Sequence, residues 1–434
     1  MLDLLRQVVT RVRGGEYAEA RFERRYFSYI AVTNRVLKQV VQRSAEYAVI
    51  RAYSGGSWRT MLLLHPTPRL LEESFQKIVS KLPPPRGLSY TPSSESAAIR
   101  LPPDENPATT PIAAKTSLSI VLSEEISKYD DRVSRSTVVY TDEVAQTFFV
   151  NSLGSELAFE EGRAAIEVLA EVRDGGHLGY GHLVQTSSMG FRLLERTDPL
   201  EIAAHVVGAA IDQLHSRETT PKTLLFTEAA LPALLSLLFY SKSAPSLTLI
   251  DTGTRPDAYR RAFFDWEGVR VRDVVLFEKG AIRETPALLH DAFVDGRMPT
   301  GHAFCEEGLQ PVCLPRHLCT LPGDQMDDEL TATADAIVKN AILVPTKSGT
   351  PVLLATNTYT RDDVPASPLL VCINPDMLAR AILGVGKHTV HAAGRVGTGF
   401  GASAYLSTSS PPILVRVDRT EPLPKTATVE AVLP

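Results

Sequence analysis

Apolar residues recur with two periods along this 434-residue chain. Leu5, Val8, Val9 and Val12 fall on one face of an opening helix that Gly14-Gly15 closes. Ala18 to Val32 and Tyr47 to Leu64 then read as antiparallel strands, with turns at Thr33-Asn34-Arg35 and Ser54-Gly55-Gly56. Within the first, Ala20-Arg21-Phe22-Glu23 alternates as a half-buried strand should. Thr67 to Leu82 returns to helical spacing, with Leu70, Leu71, Phe75, Ile78 and Val79 on one face. Eight prolines between Pro83 and Pro111 then predict a surface linker or excursion over residues 83–113. A helix is expected near Leu122 to Tyr129. Strands follow around Ser136 to Tyr140, Thr147 to Asn151, Glu156 to Glu160 and Ala164 to Val172, and Asp174-Gly175-Gly176 ends that run. Pro199 to Leu214 is the clearest helix of the first half. Asp198 stands at its N-cap, Pro199 at its first position, and Glu201 completes a capping-box pattern.

The second half is organised around Thr223 to Ile282. Thr223 to Thr227 is a short apolar run, followed by twelve uncharged residues from Ala229 to Tyr240. This predicts a buried strand leading into a helix covered on every side. Leu247 to Ile250 and Val271 to Phe277 read as strands of a meander, with polar turns at Asp251-Thr252-Gly253-Thr254, Glu267-Gly268 and Lys279-Gly280. His302 to Asp324 is irregular, and Asp327 to Ala341 has helical spacing through Leu330, Ala334, Ile337 and Ala341. Strands resume at Ile342, Val352 and Leu369, Pro375 to Leu383 is a helix, and a glycine-studded segment, Gly394 to Gly401, leads to a last strand, Ile413 to Val417. The predicted class is α+β, with largely antiparallel sheets and flanking helices. An N-terminal α/β unit over residues 1–219 and a C-terminal β-rich unit over 220–434 meet near Thr219-Thr220-Pro221.

Composition narrows the function classes. The chain is 44% hydrophobic and 22% charged, and its 45 Lys and Arg against 50 Asp and Glu give a net charge of −5. No basic field for nucleic acid is present. Arg6, Arg11 and Arg13 interrupt the start, so it does not read as a signal peptide, and the twelve-residue apolar run is too short to cross a bilayer. Four cysteines in this length fit free thiols in a reducing cytoplasm.

Chemistry-bearing patterns are weak. None of the ten histidines is followed directly by Glu. His177 and His182 flank a loop or strand, and His388 and His391 lie beside Gly394 with no carboxylate near, so both pairs read as polar sheet residues. His302, Cys305, Cys313, His317 and Cys319 are types that suit zinc, in two pairs with ordinary ligand spacing. The gap between those pairs is too short for the turn of structure that normally separates them. Gly394, Gly397, Gly399 and Gly401 lead to a strand and not to a helix N-terminus, so they read as backbone turns and not as a phosphate cradle. Ser74-Phe75-Gln76-Lys77 and Lys347-Ser348-Gly349 echo two serine-acylase motifs, but the third is absent and Ser74 sits in an ordinary amphipathic helix.

The order of segments resembles the TldD/PmbA family. It is carried by YAEARFERR and TNRVLKQV near the start, NSLGSE after a strand, TEAALPALL, and then IDTGTRPDAYRRAFFDWEGVRVRDVVLFEKGAI. Within these stand an Asp-x-Gly-Thr turn at Asp251 to Thr254, Phe-Asp-x-Glu-Gly-Val at Phe264 to Val269 and a Lys-Gly turn at Lys279-Gly280. The resemblance implies a cytoplasmic protease of two related subunits. The TldD type carries His-Glu-x-x-x-His on a helix and a later Cys, which bind zinc. The PmbA or TldE type has the same fold without those ligands. The pair cleaves unfolded peptides, and some members process ribosomally made peptide natural products.

Leu234 to Ser241, where the zinc helix is expected, reads LLSLLFYS, and Arg395 to Gly399, where the Cys is expected, reads RVGTG. Pro232 stands where the family usually has Gly. No catalytic, cofactor or metal residue is therefore assigned to this chain. The expectation is a non-catalytic TldE-like subunit that binds extended peptide beside a TldD-like partner holding the zinc. The alternative is a metal-free peptide-binding homodimer with no proteolytic partner. A third reading places catalysis at the His302–Cys319 cluster.

Overall fold

A computed structural model describes residues 1–10, 16–191, 197–305, 310–344, 352–397, 404–417 and 419–423. Its class is α+β, with antiparallel and mixed sheets. Helix α1 (Leu2–Thr10) precedes three long strands, β1 (Tyr17–Thr33), β2 (Val36–Ser54) and β3 (Ser57–Leu64), and then α2 (Pro68–Val79). Thr67 caps α2 by accepting the Leu70 N–H, 3.2 Å away. Leu71, Phe75 and Ile78 are buried beneath it, whereas Leu70 is exposed. β4 (Ser96–Ile99), α3 (Ile112–Tyr129), β5 (Val133–Asn151), β6 (Glu156–Asp174), β7 (His177–Ser187) and α4 (Pro199–Leu214) complete the first half. Asp198 accepts the Leu200 N–H at the start of α4, as its sequence predicts.

These strands form one sheet in the order β3-β2-β1-β5-β6-β4, with β7 also paired to β6. One face takes the helices. Ala18, Ala20 and Phe22 of β1 pack with Leu5, Leu71 and Phe75, and Ile30, Val138 and Ile166 pack with Leu122, Val206 and Ala210. The other face is also buried, which corrects the half-buried expectation for β1: Glu19, Arg21 and Glu23 are 3%, 6% and 0% exposed. Their partners come from the second half of the chain, as described below.

That second covering explains other differences. β5 and β6 are continuous where two broken pairs of strands are expected, because Asp142, Glu143 and Arg163 lie mid-strand and are buried. The proline-rich excursion is not wholly irregular: Ser96 to Ile99 runs parallel to Glu156 to Phe159, and Pro107 is buried. α3 begins ten residues before the predicted start, at Ile112. Val12, Gly14 and Gly15 lie outside the described residues.

The second half contains β8 (Thr223–Ala229), α5 (Leu231–Phe239), β9 (Leu249–Asp251), β10 (Val274–Glu278), β11 (Ala281–Ile282) and α6 (Leu289–Asp295). Three short strands follow where irregular chain is expected: β12 (Ala303–Phe304), β13 (Val312–Cys313) and β14 (His317–Thr320). Then come α7 (Asp327–Thr333), β15 (Ala336–Val344), β16 (Val352–Thr360), β17 (Pro365–Ala366), β18 (Leu369–Val371), α8 (Pro375–Ala381), β19 (Ile382–Val385), β20 (Val390–Arg395), β21 (Tyr405–Ser410), β22 (Ile413–Arg416) and β23 (Thr420–Pro422). The predicted helix over Asp327 to Ala341 is really α7 followed by β15. Leu330, Ala334 and Ile337 do share a small core, but across a helix-to-strand corner. Ile413 to Val417 is likewise not the last strand, since β23 pairs with β18.

Two sheets enclose α5. Leu249, Leu276, Leu318 and Leu406 come from β11-β10-β9-β14-β21-β20, and Leu224, Val338, Leu353 and Val415 from β19-β22-β8-β15-β16-β18-β23. Every residue from Leu231 to Phe239 is buried. Pro232 is the helix's second residue, where its missing N–H leaves no bond unmade.

Candidate functional site

Asp251 ends β9 and is fully buried. Its carboxylate accepts the backbone N–H groups of Arg316 and His317 at 2.8–3.0 Å and faces His302 Nε2 at 2.9 Å. Burial alone would raise its pKa, but His302 and those N–H donors outweigh that and hold the carboxyl below the usual range. His302 Nδ1 lies 3.0 Å from the Thr300 carbonyl, which can only accept. Gly253 is required beside this joint, because a Cβ there would stand 2.4 Å from the Arg316 side chain. The Asp-x-Gly-Thr turn is thus a clamp that fixes the start of β14.

A second turn works similarly. Asp265 accepts N–H groups from Glu267, Val269 and Ala303 at 2.9–3.0 Å. Gly268 has φ +71°, and a Cβ there would lie 2.4 Å from the Phe149 ring. Glu267 reaches across to Arg51 of β2 at 2.9 Å, and Arg51 also holds Glu19 at 2.8 Å. Arg21 donates to the Trp266 carbonyl. The charged face of the first sheet is therefore locked to the second half.

With β14 so fixed, His317 points into a cleft of about 480 Å³. Its walls are Leu183 to Thr186 of β7 and Val390 to Ala393 of β20. Each strand stands at the edge of its sheet. His205, Glu228, Asp257 and His391 also line it. His317 Nδ1 and Nε2 lie 2.8 Å from the hydroxyls of Ser407 and Ser409, and His391 Nδ1 lies 2.8 Å from Ser409. Tyr259 N–H donates to Ser407. Burial lowers the His317 pKa to about 4, with Asp257 opposing that and Arg255 adding to it, so the ring is neutral at pH 7. One ring nitrogen donates and the other accepts, and the hydroxyls complete the chain in either tautomer. Glu228 has φ +48°, an unusual conformation for a side-chain-bearing residue, near the end of β8.

The residues just before the two segments where ligands are expected lie against each other. A Cβ at Gly394 would be 3.1 Å from Pro232 Cβ and 3.2 Å from the Ala229 carbonyl oxygen. Next to it, Arg395 is 2% exposed and pairs with Glu167 of β6. Glu167 also receives the Tyr405 hydroxyl at 3.0 Å and faces His182 Nε2 at 2.9 Å. Burial pushes the Glu167 carboxyl up, but His182, Arg395 and Tyr405 outweigh it and hold it below the usual range. Asn340 donates to the His182 carbonyl and stands 3.4 Å from Nδ1, so Nε2 carries the proton offered to Glu167.

The other candidates scatter. His302 turns to Asp251 and His317 to the serines, Cys305 is buried in an apolar cluster, and Cys319 Sγ lies 3.7 Å from the Thr252 hydroxyl. Burial, with Glu267 and Asp265, pushes the Cys313 thiol up to about 12, so it is no nucleophile. His177 is exposed, and His388 sits 2.9 Å from Asp327. Ser74 is buried in α2. Gly399, Gly401 and Lys347-Ser348-Gly349 lie outside the described residues. Among the described residues, no three His, Cys, Asp or Glu side chains are grouped to hold a metal ion.

Family models match two stretches of the chain. The PmbA/TldA metallopeptidase central domain matches residues 105–214 and the PmbA/TldA metallopeptidase C-terminal domain residues 242–361, together just over half the chain. The chain belongs to the TldD/PmbA family. A metalloprotease from Methanothermobacter thermautotrophicus is 28% identical over 342 residues, spanning 73% of this chain and 74% of that protein. Two solved structures share the fold. A proposed modulator of a DNA gyrase from Thermotoga maritima has 18% identity and a TM-score of 0.72, over 93% of this chain and 96% of that one. TldE from Thermococcus kodakarensis has 16% identity and a TM-score of 0.68, over 96% and 99%.

A metallopeptidase calls for a metal ion, and the zinc that the sequence resemblance implies takes imidazole, thiolate and carboxylate ligands. The residues here do not fit it. α5 offers Leu234, Leu235, Leu237 and Leu238 to an apolar core, with Ser236 its one polar side chain, and Arg395 brings a guanidinium to the adjoining strand. A fixed buried cation repels a second one, and Glu167 is already committed to it. The Arg395, Glu167 and His182 set could not be foreseen, because Arg395 on β20 is remote in sequence from Glu167 and His182 on β6 and β7.

Proposed function

We propose that this chain is the non-catalytic, TldE-type subunit of a TldD/TldE-type zinc metalloprotease that cleaves extended peptides. The observation that carries the reading is the pair of substitutions at the expected ligand positions: a buried α5 with no His, Cys, Asp or Glu, and the buried Arg395. The fold shared with TldE from Thermococcus kodakarensis across nearly the whole chain supports it. The cleft between β7 and β20 supplies the peptide-binding role. Edge strands carry unpaired backbone N–H and C=O groups, which hold an extended peptide with little regard to its sequence. Zinc held by a TldD-like partner would activate the attacking water.

The test combines metal analysis, mass measurement and peptide cleavage. Alone, the purified chain should carry no stoichiometric zinc and cleave nothing. Mixed with a TldD-like protein from the same source, it should form a one-to-one complex that cleaves unfolded peptides. One tight zinc per chain together with peptidase activity refutes the reading. A stable homodimer that binds peptide and ignores the TldD-like protein refutes it in favour of a non-proteolytic binding protein.

A further inference from the structure

Val36 to Ala45 belong to a sheet, yet all of them are exposed except the half-buried Val41. β1 pairs with this stretch of β2 along one side. β3 covers the other side of β2 only from Tyr47 to Ser54, and the chain then turns away into α2. Among the described residues no strand pairs with the outer edge of Val36 to Ala45. At about 3.4 Å per residue that edge is about 34 Å long. Its outward N–H and C=O groups are left for water or for another chain. Val36, Leu37 and Val40 are exposed on it, and so is Tyr26, which lies opposite Ser44 on β1. A single exposed apolar side chain means little, but a group of them along an unpaired edge makes a docking surface.

The charges say which partner fits. Arg35, Lys38 and Arg43 are the charged residues from Asn34 to Ala45, and no acid stands among them. Lys38 is also the extra residue of a bulge, since Ala31 pairs with Gln39 and Val32 with Leu37. Laid antiparallel on a second copy, the edge would gather the same cations of two chains along one seam, with nothing to neutralise them. A strand that carries Asp or Glu meets no such penalty. The edge also adjoins the candidate site. Tyr29 of β1 lies opposite Val41, and burial and Glu167 raise its phenol while Arg395 lowers it. A strand added to β2 would run two strand spacings, about 10 Å, from β1 at that point. It would bring a second chain close to Arg395, where this chain lacks a zinc ligand.

We propose that the free edge of β2, Val36 to Ala45, is the surface on which the TldD-like subunit docks, by adding an edge strand that carries Asp or Glu, so that the first sheet continues into the partner. The inference rests on the subunit reading above and adds where the two chains meet.

Residue-resolved hydrogen exchange of the full chain, alone and mixed with the TldD-like protein from the same source, tests the idea together with the variant K38E/R43E. The outward amides of residues 36–45 should exchange fast in the chain alone and slow by at least about tenfold in the mixture. K38E/R43E should bind the TldD-like protein at least about tenfold more weakly, with unchanged far-UV circular dichroism and Tm, because both side chains are exposed. Fast exchange there in a mixture that mass measurement shows to be one-to-one overturns the proposal and leaves the subunit reading standing. No complex at all with the native chain overturns both. Slow exchange of those amides in the chain alone also overturns the proposal, because the chain or a second copy would then cover the edge already. So does undiminished binding of K38E/R43E.

Discussion

A methyl group at residue 268 has nowhere to go. Its Cβ would enter the Phe149 ring while φ stays at +71°. Gly268→Ala should therefore cost about 2–4 kcal/mol in chemical denaturation, from steric conflict and left-handed strain together. His317 gives a different signature. Its folded pKa of about 4 lies below the ordinary value near 6.5, so the unfolded chain binds the proton first. The stability held by the neutral ring is complete above pH 6.5 and is lost as pH falls toward 4, by about 3 kcal/mol in all. His317→Gln should flatten stability against pH over that window relative to the native chain, as denaturation at a series of pH values would show. At this scale much was legible. The turns around Gly253 and Gly268 are visible in the chain, as is the want of zinc ligands in Leu234 to Ser241. What those turns clamp was not visible, because Asp251 with His302, and Glu267 with Arg51, join residues remote in sequence.

Elements were most legible where only one face decides the pattern. α4 matches its predicted bounds because its cap, first-position proline and apolar stripe agree. β5 and β6 did not match, because mid-strand charges such as Glu143 and Arg163 read as interruptions when no partner is in view. α7 and β15 merged in prediction because Leu330, Ala334 and Ile337 meet in space at a spacing that imitates a helix. α5 shows the converse: an element apolar on every side is buried on every side. Histidine placed there will not recreate a zinc helix. The double substitution Leu234→His and Leu238→His puts two imidazoles into positions that are 0% exposed. The expected result is a loss of more than about 4 kcal/mol, or failure to fold, with no zinc taken up, read by thermal melting and metal analysis.

For the whole molecule, the organising feature is one sheet covered on both faces, by helices on one and by the second half of the chain on the other. Glu267 sits at that second seam, joining Arg51 to the N-terminal end of α6 through the Leu289 N–H. Glu267→Ala leaves Arg51 with Glu19 alone and should cost about 3 kcal/mol, measured as a lower denaturation midpoint. If the seam couples the two halves, the unfolding transition of that variant should also broaden or split when followed by tryptophan fluorescence, since Trp58 and Trp266 lie on opposite sides of it.

The charged seam has a consequence for how the protein is made. Glu19, Arg21, Glu23, Arg51, Arg163 and Glu167 are all translated before Trp266, Glu267 and Arg395, which later cover or pair with several of them. Until those arrive, the waiting surface of the unfinished polypeptide is wettable, so a ribosome-bound intermediate offers neighbouring nascent chains little to stick to.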